Sequence, residues 1–222
     1  MSKPTNVFII EQEPLITHSI KDALHTISKS KTGMSFNTKS VRSFEFAYSE
    51  IKKSRHLSLV FLNIDMYSTY HEKSKFIIEM VSTLKRNSPK AQLLTLTSVR
   101  DNYMIFDLIR TLNPESILLK TDITFKDLIK AIENVINDIP FYSKTILQLL
   151  RSRMSCDINL DKTDRLILYH LSKGAKTKDL SKFVFLSRSG IESRKRNLKT
   201  LFNAERQSDQ FLLEQARLKG FI

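Results

Sequence analysis

The stretch Leu59-Val60-Phe61-Leu62-Asn63-Ile64-Asp65 decides how the first 139 residues are read. Four consecutive apolar residues leading to an amide and an acid lack the in–out alternation of a half-exposed strand. A strand of this kind is buried on both faces, as in parallel sheets covered by helices on either side. This run belongs to the strand candidate Leu57–Leu62, and similar short runs lie outward from it at Asn6–Ile10, Ser35–Val41, Ala91–Leu96 and Ser116–Leu119. Between them stand segments with helical spacing. Pro14–Ile27 places Leu15, Ile16, Ile20, Ala23, Leu24 and Ile27 on one side, with Pro at a first-turn position. Phe76–Leu84, Asn102–Leu112 and Phe125–Ile139 repeat the pattern. Five βα units in a row predict an α/β domain with a doubly wound, five-strand parallel sheet and right-handed crossovers. Ligands of such a sheet sit beyond the carboxyl ends of its strands.

The composition supports packed cores. The 222 residues are 41% hydrophobic with 14 Phe, and the mean hydropathy is -0.24. The amino terminus runs straight into Val7-Phe8-Ile9-Ile10 with no cleavage site, and no stretch nears the roughly 18 apolar residues of a membrane span. A soluble, cytoplasmic protein is expected. The single Cys156 forbids an internal disulfide and a cysteine-rich zinc site, and it reads as a bland, partly buried thiol. Scattered His residues without HExxH or CxxC spacing leave no metal candidate, and the four Gly form no phosphate loop. No cofactor and no enzymatic activity are expected.

Charge is the loudest compositional signal. The chain carries 36 Lys+Arg against 23 Asp+Glu, net +13. Residues 1–139 hold 19 basic and 15 acidic side chains, net +4, whereas residues 140–222 hold 17 and 8, net +9. Basic proteins are often basic for solubility alone. An excess concentrated in one short segment favours a polyanion, and double-stranded DNA is the partner expected. A membrane surface is disfavoured, because no helix pairs a basic face with a broad apolar one.

The strand ends carry the chemistry of the first domain. Strand one leads into Glu11-Gln12-Glu13-Pro14, strand three ends at Asn63, strand four at Thr97-Ser98, and strand five at Lys120. This succession resembles the receiver domain of bacterial response regulators over residues 5–139, and the resemblance implies a flavodoxin-like fold. In that family two acids after strand one and an Asp ending strand three hold Mg²⁺, and that Asp takes a phosphoryl group. Here Glu11 keeps one acid, while Gln12 and Asn63 are neutral. An amide is neither a nucleophile nor an anionic ligand for hard Mg²⁺. The resemblance thus implies a degenerate pocket of Glu11, Gln12, Asn63, Thr97 and Lys120, with no phosphoacceptor. Lys120 is expected to pair with Glu11 or the Asn63 amide oxygen, and Thr97 retains the switch hydroxyl. Asp65, two residues along a turn, is expected to point elsewhere. Met66-Tyr67-Ser68-Thr69-Tyr70 replaces the family's Pro-Gly turn.

Residues 140–157 read as a linker, with Pro140 closing the preceding helix and Tyr142–Met154 able to form a short basic helix. Residues 158–222 read as an all-α domain of four helices. Asp161, with Asp164 three residues on, opens the first in a capping-box arrangement, and Gly174 ends it. Leu166, Ile167, Tyr169 and Leu171 supply its apolar side. Thr177 caps the second, Lys178–Phe185, with Leu180, Phe183 and Val184 inward. Ser187 caps the third, Arg188–Phe202, with Ile191, Leu198, Leu201 and Phe202 inward. Such a close helix–turn–helix pair belongs to DNA readers. The fourth, Asp209–Lys219, is apolar at Phe211, Leu212, Leu213, Ala216 and Leu218, more than one core-facing stripe requires, which points to a dimer contact.

The third helix holds Arg188, Glu192, Arg194, Lys195, Arg196 and Lys199. One acid cannot balance five cations, so this is more than a solvated face laced by i,i+4 pairs. Together with Leu160, Asp164, Leu168, Gly174, Lys178, Leu180, Leu186-Ser187, Ser189, Ile191 and Leu198, it resembles the DNA-binding domain of LuxR/NarL-type transcription regulators. That resemblance implies that Glu192, Ser193 and Arg196 face bases, while Lys178, Arg188 and Lys199 contact phosphates; Arg194 and Lys195 complete the candidate DNA-binding set. Gly190 stands where the family commonly has Thr, and Glu192 where it commonly has Lys. The expectation is a sequence-specific transcription regulator controlled independently of aspartyl phosphorylation, acting as a homodimer or as a heterodimer with another regulator. The alternative is a protein-interaction module whose degenerate receiver docks a kinase or another regulator.

Overall fold

The computed structural model describes residues 4–31, 34–65 and 70–222, with the side chains of residues 70–74 left aside. Among the described residues six strands and nine α-helices follow one another. They are β1 (Thr5–Ile10), α1 (Pro14–Ser30), β2 (Phe36–Val41), α2 (Phe44–Lys53), β3 (Leu59–Asn63), α3 (Tyr70–Asn87), β4 (Gln92–Thr97), α4 (Asn102–Leu112), β5 (Ser116–Leu119), α5 (Phe125–Ile136), β6 (Phe141–Tyr142), α6 (Lys144–Met154), α7 (Lys162–Ser172), α8 (Arg188–Leu201) and α9 (Asp209–Leu218). A 3₁₀ turn, Thr177–Lys182, precedes α8. The chain divides into two compact units. One comprises residues 1–99 and 108–146, the other residues 100–107 and 147–222.

The first unit is a parallel sheet in the order β2-β1-β3-β4-β5-β6. Its strands are buried on both sides, and the pleat deals their residues to two cores. Val7, Ile9, Leu59, Phe61, Leu94, Leu96 and Leu118 pack with Ile20, Ala23, Leu24 and Ile27 of α1 and Leu128, Ala131, Ile132 and Val135 of α5. On the other face Phe8, Ile10, Val60, Leu62 and Leu93 pack with Phe44, Ala47 and Ile51 of α2 and Ile77, Met80, Val81 and Leu84 of α3. The two edge strands are exceptions: β6 is only half-buried, and β2 is more exposed still. Its middle residues Asn37, Thr38, Lys39 and Ser40 are exposed, as suits an edge that must not recruit another chain.

Two expectations for this unit need correction. The sheet has a sixth strand, because Phe141-Tyr142 pairs with Ser116-Ile117 inside the stretch read as linker. Two residues are too few for an alternation pattern to register. Helix α5 also stops at Ile136 rather than Ile139, where Asp138 takes a left-handed turn at φ 60°. The replaced turn at residues 66–69 lies outside the described residues.

In the second unit the caps form much as expected. Asp161, Ser187 and Ser208 accept from Asp164 N, Gly190 N and Phe211 N and so open α7, α8 and α9. Gly174 takes φ 86° beyond α7, a left-handed conformation that any side chain would resist. The expected second helix is instead the 3₁₀ turn, with Lys176 rather than Thr177 at its cap. The Thr177 hydroxyl accepts from Lys195 Nζ at 2.8 Å and so is turned away from capping. Phe183 is partly exposed, its ring stacked on that of His170 at 3.9 Å, and Phe185 is fully exposed. Leu201 is exposed rather than inward, and the helix ends there, leaving buried Phe202 as its cap. Within α7, Leu168 and His170 are buried and Tyr169 only half so. In α9 Leu212 and Ala216 are buried, Phe211 and Leu213 half-buried, and Leu218 exposed.

Candidate functional site: a closed polar pocket and a basic helix face

At the carboxyl ends of β1, β3, β4 and β5 the first unit gathers its polar residues. Asn63, the last residue of β3, is fully buried, and its amide works in two directions. Nδ2 donates to Glu11 Oε1 at 2.7 Å, and Oδ1 accepts from the Asp65 backbone at 2.9 Å. The second bond is the Asx turn an Asn makes with its own backbone two residues on. Glu11 Oε1 also accepts from the Glu13 backbone at 2.9 Å. The turn at Asn63 swings the Asp65 carboxylate inward, opposite to the expectation that it points elsewhere. Asp65 Oδ1 accepts from the Thr97 hydroxyl at 2.8 Å, and the Ser98 amide donates to both carboxylate oxygens at 2.7 and 2.8 Å.

Lys120 closes the network. Its ammonium lies 2.6 Å from Glu13 Oε1, 3.3 Å from Asp65 Oδ2 and 3.8 Å from Glu11 Oε2, and only 11% of the side chain is exposed. Of its two expected partners, Glu11 is present at ion-pair distance, while the Asn63 oxygen is taken by the Asp65 backbone. Burial opposes ionisation of Asp65, but the Ser98 amide, the Thr97 hydroxyl and the Lys120 charge outweigh it and hold the carboxyl below its ordinary range. Burial likewise opposes the Lys120 ammonium, and Glu13, Glu11 and Asp65 outweigh it and raise the lysine. Of the five residues expected to form the pocket, four meet there. Gln12 is exposed outside it, and Glu13 and Asp65 take part unforeseen.

In the second unit the cations of α8 divide into two sets. Arg194 donates to Asp161 and, at 2.9 Å, to Asp164, which ties α8 to the start of α7. Asp164 thus serves Arg194 rather than returning a bond to the Asp161 backbone, so the expected capping box is only half made. Lys195 and Lys199 lie 2.6 and 3.0 Å from the two oxygens of Asp209 at the start of α9. Burial would raise Asp209, but these two lysines outweigh it and hold the carboxyl low. The other set faces outward. Arg188 pairs with Glu192 one turn on at 3.1 Å, both exposed or half-exposed. Ser193 and Arg196 are exposed, as is Lys178 on the 3₁₀ turn, and among the described residues no ion pair engages Arg196 or Lys178. A Cβ at Gly190 would meet the Ser187 hydroxyl at 3.4 Å and the Leu186 side chain at 3.8 and 3.9 Å, ordinary contacts, so packing within the chain does not require glycine there.

Among the described residues, no group of three or more His, Cys, Asp or Glu side chains is arranged to hold a metal ion. No described helix is long and apolar enough to cross a membrane.

No protein-family model and no curated protein matches the chain. Solved structures do. RcsB from Salmonella enterica serovar Typhimurium, bound to promoter P1flhDC in the presence of phosphomimetic BeF3-, superposes with a TM-score of 0.60 at 19% identity over 96% of this chain and 98% of that one. A structure of two RcsB dimers bound to two parallel DNAs gives a TM-score of 0.60 at 18% identity over 97% and 99%. The isolated REC domain of RcsB from Salmonella enterica serovar Typhimurium, in the apo form, gives 0.51 at 18% identity over 66% of this chain and 98% of that one. The chain therefore has the fold of these proteins from end to end: a receiver-like α/β unit followed by a helical helix–turn–helix unit.

Proposed function

We propose that this protein is a cytoplasmic, sequence-specific DNA-binding transcription regulator of the response-regulator type, controlled without aspartyl phosphorylation and without catalysis of its own. The observation that carries this reading is the division of charge on α8. Asp161, Asp164 and Asp209 neutralise Arg194, Lys195 and Lys199, which brace the helix against α7 and α9. What is left facing outward is a strip of Arg188, Glu192, Ser193 and Arg196 at successive turns, with Lys178 nearby. A helix fits the major groove, where Arg forks onto guanine and Glu accepts from the cytosine amino group. Lys178 and Arg188 then lie to the phosphate side, and Lys199 serves chiefly as a brace. The solved neighbours bound to DNA support the same reading.

Two copies on one site are part of the proposal. The exposed Leu218 and half-buried Phe211 and Leu213 of α9 would be covered in a dimer of this chain or with a second regulator. Two α8 helices would then enter successive major grooves about 34 Å apart. Titration of the full chain against genomic DNA fragments at low and at high salt tests the core of the reading. Tight, salt-sensitive binding to a roughly two-fold symmetric site is expected. Binding to no genomic DNA at low salt would remove it. Treatment with acetyl phosphate, or with beryllofluoride and Mg²⁺, is expected to leave the affinity unchanged, because Asn63 offers no nucleophile.

A further inference from the structure

The donors that surround Asp65 form a cradle suited to an oxyanion. A hydroxyl from Thr97, a backbone amide from Ser98 and an ammonium from Lys120 converge from three directions on one carboxylate. These are the groups that would surround a phosphoryl or sulfate oxygen arriving from outside. We infer that Asp65 is the pocket's own anion, a built-in latch that fills this cradle, holds Thr97 and Ser98 in one state and leaves no room for external phosphate.

Three features of the site support a latch over an accidental contact. Asp65 is delivered by Asn63, whose side-chain oxygen accepts from the Asp65 backbone while its nitrogen clamps Glu11. An amide can accept on one side and donate to a carboxylate on the other, which an ionised Asp at this position could not, so the neutral residue ending β3 is a working part of the device. The carboxylate of Asp65 is only 18% exposed and meets donors on both oxygens. Finally, Glu11, Glu13 and Asp65 all stand within 4 Å of the Lys120 ammonium, so the lysine is fully compensated and a second anion would meet net negative charge.

The latch acts at the end of β4, where Thr97-Ser98-Val99 leads the chain directly into residues 100–107 of the second unit. Removing the carboxylate frees the Ser98 amide, the Thr97 hydroxyl and the side of Lys120 that faced Asp65, which turns a filled cradle into an empty one able to take a small oxyanion. The inference rests on the phosphate-independent reading of the pocket given above. Its test is kept separate from that reading and uses no DNA.

The experiment compares the full-length wild type with Asp65→Ala by NMR, following the Ser98 and Thr97 amides with and without inorganic phosphate. In the wild type the Ser98 amide is expected to exchange about tenfold more slowly than in Asp65→Ala, the value of one charge-assisted hydrogen bond. Phosphate at millimolar concentration should shift these two amides in Asp65→Ala and leave the wild type unmoved. Equal exchange in the two proteins, or a wild type that responds to phosphate as the variant does, would overturn the latch. Asp65→Ser, whose side chain is too short to fill the cradle, carries the same two readouts if Asp65→Ala does not fold. Mass spectrometry after acetyl phosphate treatment reports on the other reading. A phosphoryl adduct on the first unit would end phosphate independence, whereas the exchange and phosphate responses judge the latch alone.

Discussion

The pocket at the strand ends and the outer face of α8 both concentrate charge, and they dispose of it in opposite ways. In the pocket, three carboxylates share one lysine that is itself almost wholly covered, and hydrogen bonds from Asn63, Thr97 and Ser98 within the unit hold the acidic excess. On α8 the acids of neighbouring helices take up some cations and leave others exposed. The difference lies in where charge is left over. A network closed on itself sets the conformation of its own residues, whereas an open strip of uncompensated Arg with one tethered Glu has charge to spend on a partner.

The largest effect should come from Asn63→Asp, which gives the pocket the carboxylate a receiver would carry. Asn63 Nδ2 stands 2.7 Å from Glu11 Oε1 at a fully buried position. Replacing that donor with an oxygen anion sets two carboxylates against each other out of water, at a cost of about 3 kcal/mol or more in stability. One of the two acids should have its pKa raised in the folded protein. The penalty is therefore present in full near neutral pH and is relieved as pH falls and that acid binds a proton. Urea unfolding at pH 7 and pH 5 reads both the loss and its partial recovery. A loss below about 1 kcal/mol at pH 7 would mean that the amide is not the clamp described here.

Next in size is a contrast between two arginines on the same helix. If Arg196 reads a base as proposed, Arg196→Ala should weaken specific DNA by about 1–3 kcal/mol and random DNA by much less. It should leave thermal stability nearly unchanged, since no ion pair in the described residues holds that side chain. Arg194→Leu should do the reverse. It unties α8 from Asp161 and Asp164, at a stability cost of about 1 kcal/mol for a partly exposed bridge, with a smaller effect on DNA. If Arg196→Ala weakens specific and random DNA equally, that arginine touches phosphate only. If Arg194→Leu abolishes specific binding while the helix stays folded, the bracing assignment is wrong.

Much of the fold was legible because it rests on local pattern. Runs such as Val60-Phe61-Leu62 cannot be half-exposed, and Asp161 and Ser187 cap their helices through a side-chain oxygen as their positions before apolar periodic runs imply. What escaped depends on distant partners or on very short elements. Strand β6 is two residues long and is defined only by its pairing with β5. The expected second helix of the helix–turn–helix loses its regular form where Phe183 leaves the core to stack on His170, 13 positions earlier in the chain. In the pocket, Glu11, Asn63, Thr97 and Lys120 were legible as strand-end residues. Asp65 was not, because its direction is set by the Asx turn at Asn63. That signal was present in the spacing Asn63-Ile64-Asp65, where an Asn is followed two residues on by the backbone its side chain prefers to bond. The bracing of Arg194 and Lys195 was hidden for a similar reason: their acids lie 30 or more and 14 residues away.

The smallest effect, and the most specific to the latch, is a pH dependence. The Asp65 carboxyl is held below its ordinary value of 3.8, so it contributes stability that is present above the ordinary carboxylate range and lost as pH falls through its lowered value. The Lys120 ammonium is raised from 10.5, so its contribution is present below that value and lost only as pH rises above it. The pair is therefore intact across the whole neutral range, and its loss shows only in acid, below about pH 4. Other carboxylates also titrate there, among them Asp161 and Asp209, which hold α8 and are likewise lowered after burial is outweighed by their hydrogen bonds and cations. The useful quantity is a difference. Urea midpoints of the wild type and Asp65→Asn, measured from pH 7 down to pH 3, should be separated at neutral pH and converge in acid, because protonating Asp65 makes the wild type resemble the variant. The gap should be modest, since a single partly exposed carboxylate is involved. Curves that stay parallel over that range would show that the charge on Asp65 contributes nothing to the folded pocket, and the closed network would then be a matter of shape alone.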